Sequence, residues 1–174
     1  MAKKIKKQNQ KQNQGGFTLI EILVVIGLIA LLAAVVIIAI NPARQFAQGR
    51  NAQRVSNINA ILNAIGQRMA DNKGVFRPAG DTVCGVDIPS ATSTAQTIAK
   101  AGVDLRPCVV PTYIPELPVD PTGGVACADS ACGNNYDTKY TVVQDGNGRI
   151  KVCAPNAKNE TALGANQEEA CVTR

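Results

Sequence analysis

An unbroken apolar segment near the amino terminus constrains this chain more than any other feature. Residues 22–40 read ILVVIGLIALLAAVVIIAI, nineteen residues without a charge or a hydrogen-bonding side chain. As an α-helix this segment spans roughly 28 Å, which matches the hydrocarbon core of a bilayer. A cleaved secretion signal has a shorter apolar core, about 7–15 residues, followed by a small-x-small cleavage site. The residues that end this segment, AINPAR, offer no such site, so we predict a retained transmembrane helix.

Positive charge is concentrated ahead of that segment. Five of the 18 basic residues are lysines within residues 1–16, which contain no acidic residue, and residues 17–174 hold 13 basic and 13 acidic residues. Because basic flanks stay in the cytoplasm, we predict a cytoplasmic amino terminus and translocation of the remainder. Arg44, Arg50 and Arg54 follow the helix and oppose this bias without reversing it. The balanced remainder predicts no nucleic-acid partner, which would need clustered positive charge.

The composition argues against an enzyme. The chain has no histidine, so the commonest general base and the usual nitrogen ligand of zinc are both missing. The sequence also has no GxSxG, HExxH or P-loop pattern. We therefore expect no catalytic residue, no cofactor and no metal site. A membrane-anchored enzyme with a cysteine nucleophile would lack its ordinary base, whereas a membrane-anchored extracytoplasmic binding module stays open as an alternative.

A short motif marks the junction between the polar leader and the apolar segment, where residues 14–21 read QGGFTLIE. Gly15 and Gly16 lack side chains and leave the backbone accessible to a peptidase, and Phe17 then begins the apolar helix. Glu21 places a carboxylate one turn into that helix, and an acidic residue at the bilayer centre costs about 2.5–3.5 kcal/mol. One explanation is the helix dipole, which contributes about 0.3–1 kcal/mol. The other is a new α-amino group on Phe17, released by cleavage after Gly16.

The lysine-rich leader, GGFTLIE and the apolar helix together resemble the amino terminus of type IV pilins and the related type II secretion pseudopilins. This resemblance implies that a prepilin peptidase cleaves between Gly16 and Phe17 and N-methylates Phe17. It also implies that Glu21 neutralises the Phe17 amine, in its own chain or in an adjacent subunit. The implied partners are the cytoplasmic membrane, further copies of the chain in a helical filament, the prepilin peptidase, and the assembly ATPase and platform protein of the pilus or secretion machinery.

The residues after the membrane segment predict an amphipathic stem helix. Asn41 and Pro42 either kink a continuous helix or begin a second one, and we favour the kinked, continuous helix. An apolar stripe follows at helical spacing: Val55, Ile58, Leu62, Ile65 and Met69. The opposite face is expected to carry Arg50, Arg54, Asn57, Asn63 and Gln67. We expect the chain's own head to cover the stripe, and the helix to end near residues 72–74, where Gly74 can serve as a C-cap.

The remainder of the chain predicts a small head linked by disulfides. All six cysteines follow the membrane segment: Cys84, Cys108, Cys127, Cys132, Cys153 and Cys171. An even number on the translocated side indicates disulfides rather than zinc, since there is no CxxC pair and no histidine. Spacing alone does not choose among the possible pairings. Our working hypothesis joins neighbours in sequence, as Cys84–Cys108, Cys127–Cys132 and Cys153–Cys171.

Three segments of the head have recognisable local patterns. Residues 90–101 predict a short helix or a polar loop. Residues 140–153 predict a β-hairpin, because β-branched and aromatic residues flank a DGNG turn. Calcium binding is the weaker alternative for that turn and for residues 129–137, where Asp129, Asn134, Asn135 and Asp137 lie, since a calcium loop needs about six ordered oxygens. The proline-rich segment 113–123 excludes a central strand.

The LPVDP sequence within that segment resembles the loop that precedes the sheet in pseudopilins and many bacterial pilins. A Trp commonly follows this Pro in pseudopilins, whereas Thr122 follows it here. This departure, together with the cysteine-rich head, favours a pilin over a pseudopilin. Minor pilins and pseudopilins remain the alternatives within the family.

These predictions divide the chain into four segments. They are a leader removed by the peptidase (1–16), a transmembrane and filament-core helix (17–40), an amphipathic stem (41–73) and a disulfide-linked head (74–174). The expected fold class is α+β and pilin-like, with the long amino-terminal helix packed on a small antiparallel sheet. The expected function is that of a structural subunit of a type IV pilus-like filament. We expect a single-pass protein of the inner membrane before assembly and an extracellular or periplasmic filament afterwards.

Overall fold

The computed structural model describes residues 15–127, 135–164 and 167–174. The chain divides into two compact units at Asn41 and Pro42. The first contains helix α1 (Leu19–Ile40). The second contains α2 (Pro42–Asp71), β1 (Gln96–Ala99), α3 (Arg106–Val109), β2 (Asp137–Gln144), β3 (Ile150–Ala154) and β4 (Ala170–Thr173), with 3₁₀ turns at Pro155–Asn159 and Thr161–Leu163. The predicted α+β, pilin-like class is confirmed, with a long amino-terminal apolar helix and a small antiparallel sheet. The expected leader, except Gly15 and Gly16, lies outside the described residues.

Helix α1 contains the predicted apolar segment and buries none of its 22 residues within the chain. Within the described ranges it is the one helix long and apolar enough to cross a membrane. Its large side chains are mostly half to four-fifths exposed. A helix of this composition is stable only where something other than water covers it.

The expectation of one continuous helix through Pro42 is wrong. Helix α1 ends at Ile40, and Asn41 adopts a left-handed conformation, with φ 49° and ψ 79°. Asparagine tolerates this conformation better than most residues, and it commonly ends helices in it. Pro42 then occupies the first position of α2, where its missing N–H costs nothing. The second of the two alternatives is therefore the one observed.

Helix α2 supplies one wall of the core of the second unit. Ile58, Ile61, Leu62 and Ile65 are at most 3 % exposed and belong to the cluster that includes the sheet residues Tyr140, Val142 and Val152. The predicted stripe is thus covered by the head over most of its length, although Val55, its first member, is 42 % exposed. The helix ends at Asp71, with Gly74 at φ +90°, as the sequence predicts.

Two polar residues of α2 were placed on the wrong face by the sequence pattern. Arg54 is fully buried and Asn57 is 7 % exposed, whereas the periodicity assigned both to solvent. Asn57 donates from Nδ2 to Tyr140 Oη at 2.9 Å and to the Val119 carbonyl at 3.1 Å. These residues are inside because the head supplies polar partners for them, which a helical repeat of apolar residues does not reveal.

The four strands form one antiparallel sheet in the order β1-β2-β3-β4. The predicted hairpin is confirmed, with Gln144 opposite Ile150 at its closed end. The prediction of a helix or loop at residues 90–101 is wrong over β1. Gln96 pairs with Val142 and Thr97 with Thr141, and Ile98 is fully buried. Pairing with β2 and burial of Ile98 outweigh the weak helical preference of this polar segment.

Two disulfides lie within the described residues, Cys84–Cys108 and Cys153–Cys171. They are the local pairs of the working hypothesis. Cys84 and Cys108 join the loop after α2 to α3, and Cys153 faces Cys171 across β3 and β4. Cys132 lies outside the described residues, so the Cys127–Cys132 pair stays a prediction.

Candidate processing and assembly site

The predicted cleavage junction lies in non-helical backbone immediately before α1. Gly15, Gly16 and Phe17 are all exposed, and the Phe17 side chain is 80 % exposed. A Cβ added at Gly15 or Gly16 would contact nothing within 4 Å. The junction is therefore not covered by any residue that the structure describes, which is the accessibility that a peptidase substrate needs.

Thr18 caps the helix and was not singled out from the sequence. Its backbone is extended (φ −84°, ψ 151°), and its Oγ1 accepts a hydrogen bond from the Glu21 backbone N–H at 3.3 Å. Thr18 and Glu21 have the S/T-x-x-E spacing of a capping box, which is the sequence signal that identifies this cap. The cap sets where the helix begins, two residues after the Gly16–Phe17 bond.

Glu21 is the one acidic residue of the first turn of α1. A carboxylate at this position interacts favourably with the partial positive charge of the helix amino terminus. The α-amino group that was predicted to pair with Glu21 exists only after cleavage. The roles of Gly16, Phe17 and Glu21 therefore stay predictions, to which the structure adds exposure of the junction and the position of the cap.

Between Gln45 and Ala70 the outward face of α2 carries no charged side chain of its own. From Gln45 to Ala70 the charged residues are Arg50, Arg54 and Arg68, and each forms an ion pair with a carboxylate of the head. The exposed positions are small or uncharged, including Gln48, Gly49, Ala52, Ser56, Gly66, Gln67 and Ala70. Solvent-facing helix surfaces normally carry charged side chains. This uncharged face of α2 therefore suits a packing partner better than water.

Arg54 is the centre of a buried ionic cluster that attaches the head loops to α2. Its Nε donates to Asp120 Oδ2 at 2.7 Å, its Nη1 to Glu160 Oε1 at 2.6 Å and its Nη2 to Thr122 Oγ1 at 2.6 Å. Arg50 donates to the same Glu160 carboxylate, at 2.8 Å from Nε. Asp120 and Thr122 belong to the proline-rich segment and Glu160 follows β3, so one guanidinium holds two loops.

The cluster keeps its carboxylates ionised. Hydrogen bonds from Arg50, and then from Arg54, lower the pKa of Glu160 to about 2, against the opposing effect of burial. Burial alone would raise the pKa of Asp120, but hydrogen bonds from Arg54 and Thr122 hold it below its ordinary value. Buried charges need this degree of pairing, since an uncompensated ion in the interior is strongly destabilising.

A second arginine binds the loop that follows α2. Arg68 donates to the carbonyl of Phe76 at 2.9 Å and to that of Cys108 at 2.7 Å, and it pairs with Asp81. Backbone hydrogen bonds from Cys84 and Val83, together with Arg68, hold the pKa of Asp81 below its ordinary value. Arg68 and the Cys84–Cys108 disulfide therefore secure the same loop.

Calcium binding, the weaker alternative, would use side-chain oxygens of the hairpin turn or of residues 129–137. At the hairpin, Asp145 Oδ1 accepts backbone N–H groups of Asn147 and Arg149, both at 2.9 Å, which is the turn arrangement that the sequence predicts. Asp129 and Asn134 of the other group lie outside the described residues. Asp137 accepts from the Lys139 backbone N–H and pairs with the Lys139 ammonium.

Comparison with known protein families gives a match at the amino-terminal part of the chain. Residues 11–40 match the family model described as the prokaryotic N-terminal methylation motif. No curated protein and no solved structure matches the chain. The matched residues include the Gly16–Phe17 junction, Glu21 and all of α1. The chain thus carries the prokaryotic N-terminal methylation motif, which supports its assignment to the type IV pilin and pseudopilin family.

Proposed function

We propose that this chain is a structural subunit of a type IV pilus-like filament. It is cleaved after Gly16, methylated at Phe17 and assembled through α1 after anchoring in the cytoplasmic membrane. The observation that carries this proposal is α1 itself, an apolar helix of 22 residues that buries none of them in its own chain. Lipid covers such a helix in the membrane, and the helices of other copies can cover it in a filament.

The uncharged face of α2 supports a role in assembly. Three arginines are turned towards the head and paired there, so none of them interrupts the outward face. Small residues such as Gly49, Ala52 and Gly66 allow a neighbouring helix to approach closely. A surface that stays in water would be expected to carry lysine and glutamate at these positions, because charged residues keep a protein soluble.

Thr122 supports a pilin rather than a pseudopilin. It occupies the position at which pseudopilins commonly have Trp, and here its hydroxyl accepts from Arg54 and donates to Asp120. A bulky indole has no acceptor to offer the guanidinium. The departure from the pseudopilin pattern is therefore part of the ionic cluster.

The test of processing is the intact mass of the protein from its native membrane and from filaments sheared off the cell surface. We expect a chain that begins at Phe17 and is heavier by one methyl group, and its presence in the sheared fraction supports a pilus. Gly16→Leu should leave the precursor in the membrane, whereas Gly15→Ala, one residue further from the cleaved bond, should be processed. A native chain that still begins at Met1 would refute the proposal.

The test of assembly is Glu21→Ala. The variant should be cleaved normally but should be missing from filaments, because the Phe17 amine then lacks its counter-charge in an apolar environment. Glu21→Gln, which keeps the size and removes the charge, is the matched variant and should fail in the same way. Normal filaments from both variants would show that Glu21 serves only the first turn of α1.

A further inference from the structure

The tip of the β2–β3 hairpin contains two residues that each precede a glycine, Asp145 before Gly146 and Asn147 before Gly148. A glycine offers no Cβ to shield its backbone nitrogen. That nitrogen can attack the side-chain carbonyl carbon of the preceding residue and close a five-membered ring. Asparagine is thermolabile for this reason, and its neutral carboxamide is a better electrophile than an ionised carboxylate.

The structure distinguishes the two residues. The carboxylate of Asp145 is held by four donors: Oδ1 accepts the backbone N–H groups of Asn147 and Arg149, and Oδ2 accepts Nε and Nη2 of Arg149, all at 2.9 Å. Backbone and side-chain bonds to this carboxylate also lower its pKa, the Arg149 backbone N–H foremost. Asp145 is therefore ionised and fixed, and the Gly146 nitrogen does not meet a reactive carbonyl.

Asn147 has the opposite environment. Asn147 is exposed, and its carboxamide forms no hydrogen bond with any part of the chain that the structure describes. Gly148 beside it is also exposed, with φ +80°. The side chain is therefore free to rotate towards the Gly148 nitrogen.

We propose that Asn147 is a site of spontaneous deamidation on the head. The Gly148 backbone nitrogen gives up its proton to solvent and attacks Cγ of Asn147. The new N–Cγ bond forms as the Cγ–Nδ2 bond breaks, and Nδ2 takes up a proton from solvent and leaves as ammonia. Water then opens the ring at either carbonyl, which gives aspartate or isoaspartate. The reaction consumes one water, releases one ammonia and involves no oxidant or reductant.

Hydrogen bonds within the turn limit the rate of deamidation. The Gly148 N–H donates to the Asp145 carbonyl at 3.0 Å, and the Asp145 N–H donates to the Arg149 carbonyl at 2.7 Å. Ring closure requires the first of these bonds to break and the Asn147 backbone to rotate out of its turn conformation. The turn must therefore open before the ring can close, and the side-chain bonds of Asp145 slow the reaction because they hold the turn closed. This proposal is independent of the proposed filament function.

The products change the tip in two ways. Either product adds a negative charge within two residues of Asp145. Isoaspartate also lengthens the backbone by one atom inside the turn that those hydrogen bonds close. We expect the modified fraction to increase with the age of the protein and to leave the β2–β3 ladder, with Val142 opposite Val152, in place.

The experiment incubates the full chain in detergent at neutral and mildly alkaline pH and follows its tryptic peptides by mass spectrometry. The peptide spanning residues 140–149 contains Asn147 as its only asparagine, and conversion exchanges an amide group for a hydroxyl. Conversion should be faster at the higher pH, because the attacking nitrogen must be deprotonated. The internal control is Asn156, which precedes Ala157 and should stay intact over the same time.

Two variants make the test specific. Asn147→Gln should suppress conversion, since glutamine must close a larger ring. Asp145→Ala should accelerate it several-fold, because it removes the four bonds of the Asp145 carboxylate and leaves only the backbone bonds to hold the turn. An Asn147 that stays unmodified while a synthetic peptide of the same sequence is fully converted would refute the proposal. Equal rates at Asn147 and Asn156 would refute it as well.

Discussion

The two helices follow each other directly in the chain, yet they are determined in different ways. Helix α1 buries none of its 22 residues, whereas α2 buries nine of its 30, including Arg54, Asn57 and Arg68. None of the residues that the structure describes buries α1, and the proposed function gives that role to lipid or to other copies. The partners of α2 lie within the chain but far along it, since Arg54 binds Asp120 and Glu160, 66 and 106 residues away.

This difference shows that apolarity and burial are separate properties. The most apolar helix of the chain is exposed within its own structure, and a charged residue of the more polar helix is fully buried. Burial of Arg54 is tolerated because each nitrogen of its guanidinium donates to an acceptor. Removal of one charged partner would leave an uncompensated charge in the interior. Four predictions test the comparison, beginning with the largest expected effect.

Arg54→Ala should reduce the free energy of unfolding by about 3–5 kcal/mol, because Asp120 and Glu160 then lose their shared counter-charge in the interior. The measurement is chemical unfolding of the full chain in detergent, followed by a signal from the head. Gln67→Ala, at an exposed position of the same helix, is the control and should change the free energy by less than about 0.5 kcal/mol. Equal effects of the two substitutions would contradict the assigned role of Arg54.

Replacing Cys84 and Cys108 together by alanine should reduce the free energy of unfolding by about 2–4 kcal/mol. The disulfide closes a loop and so restricts the unfolded chain, which gains entropy when the bond is removed. Replacing Cys153 and Cys171 should mainly release β4, which has no buried residue. Hydrogen exchange can distinguish these outcomes. Faster exchange confined to β4 is expected in the second variant, and loss of protection throughout the sheet would show that β4 supports the core.

The head should lose stability in acid. Folding lowers the pKa of Glu160 from its ordinary value of 4.5 to about 2. The stabilisation from its ionised form is therefore complete above about pH 4.5 and is lost as the pH falls towards 2. Glu160→Gln should make the unfolding free energy less dependent on pH in this window. An unchanged pH profile in that variant would show that other carboxylates dominate acid unfolding.

The smallest effect on stability is expected on the uncharged face of α2. Ser56→Glu should change the free energy of unfolding by no more than about 0.5 kcal/mol, since the site is exposed. If this face packs against another copy, the same variant should be lost from filaments, whereas Ser56→Ala should assemble. Normal incorporation of Ser56→Glu would show that the face stays in water.

Local signals predicted several elements correctly. The apolar segment predicts α1, the DGNG turn predicts the hairpin, and Gly74 marks the end of α2, because each structure depends on residues close together in the chain. The Thr18 cap was also encoded locally, in the spacing of Thr18 and Glu21. The disulfides followed their local pairing where the structure describes both cysteines.

Elements that depend on distant partners were not predicted. Residues 96–99 form β1 because β2 offers an unpaired edge about forty residues later, a fact that the polar sequence of the segment does not contain. The inward position of Arg54 likewise depends on Asp120 and Glu160, which a helical repeat does not reveal. Asn41 had two acceptable local conformations, and only the three-dimensional structure distinguished an interrupted helix from a kinked one.

The sequence alone determined that this chain has a membrane-length apolar helix behind a glycine-phenylalanine junction, because composition and spacing specify both. Only the tertiary structure decided which polar residues of α2 are inside, which face of α2 is left without charge and which glycine-flanked residue of the hairpin tip is reactive. The reason is physical. Transfer from water depends on a residue's own chemistry, whereas the burial of a charge or the reactivity of an amide depends on partners that folding brings together.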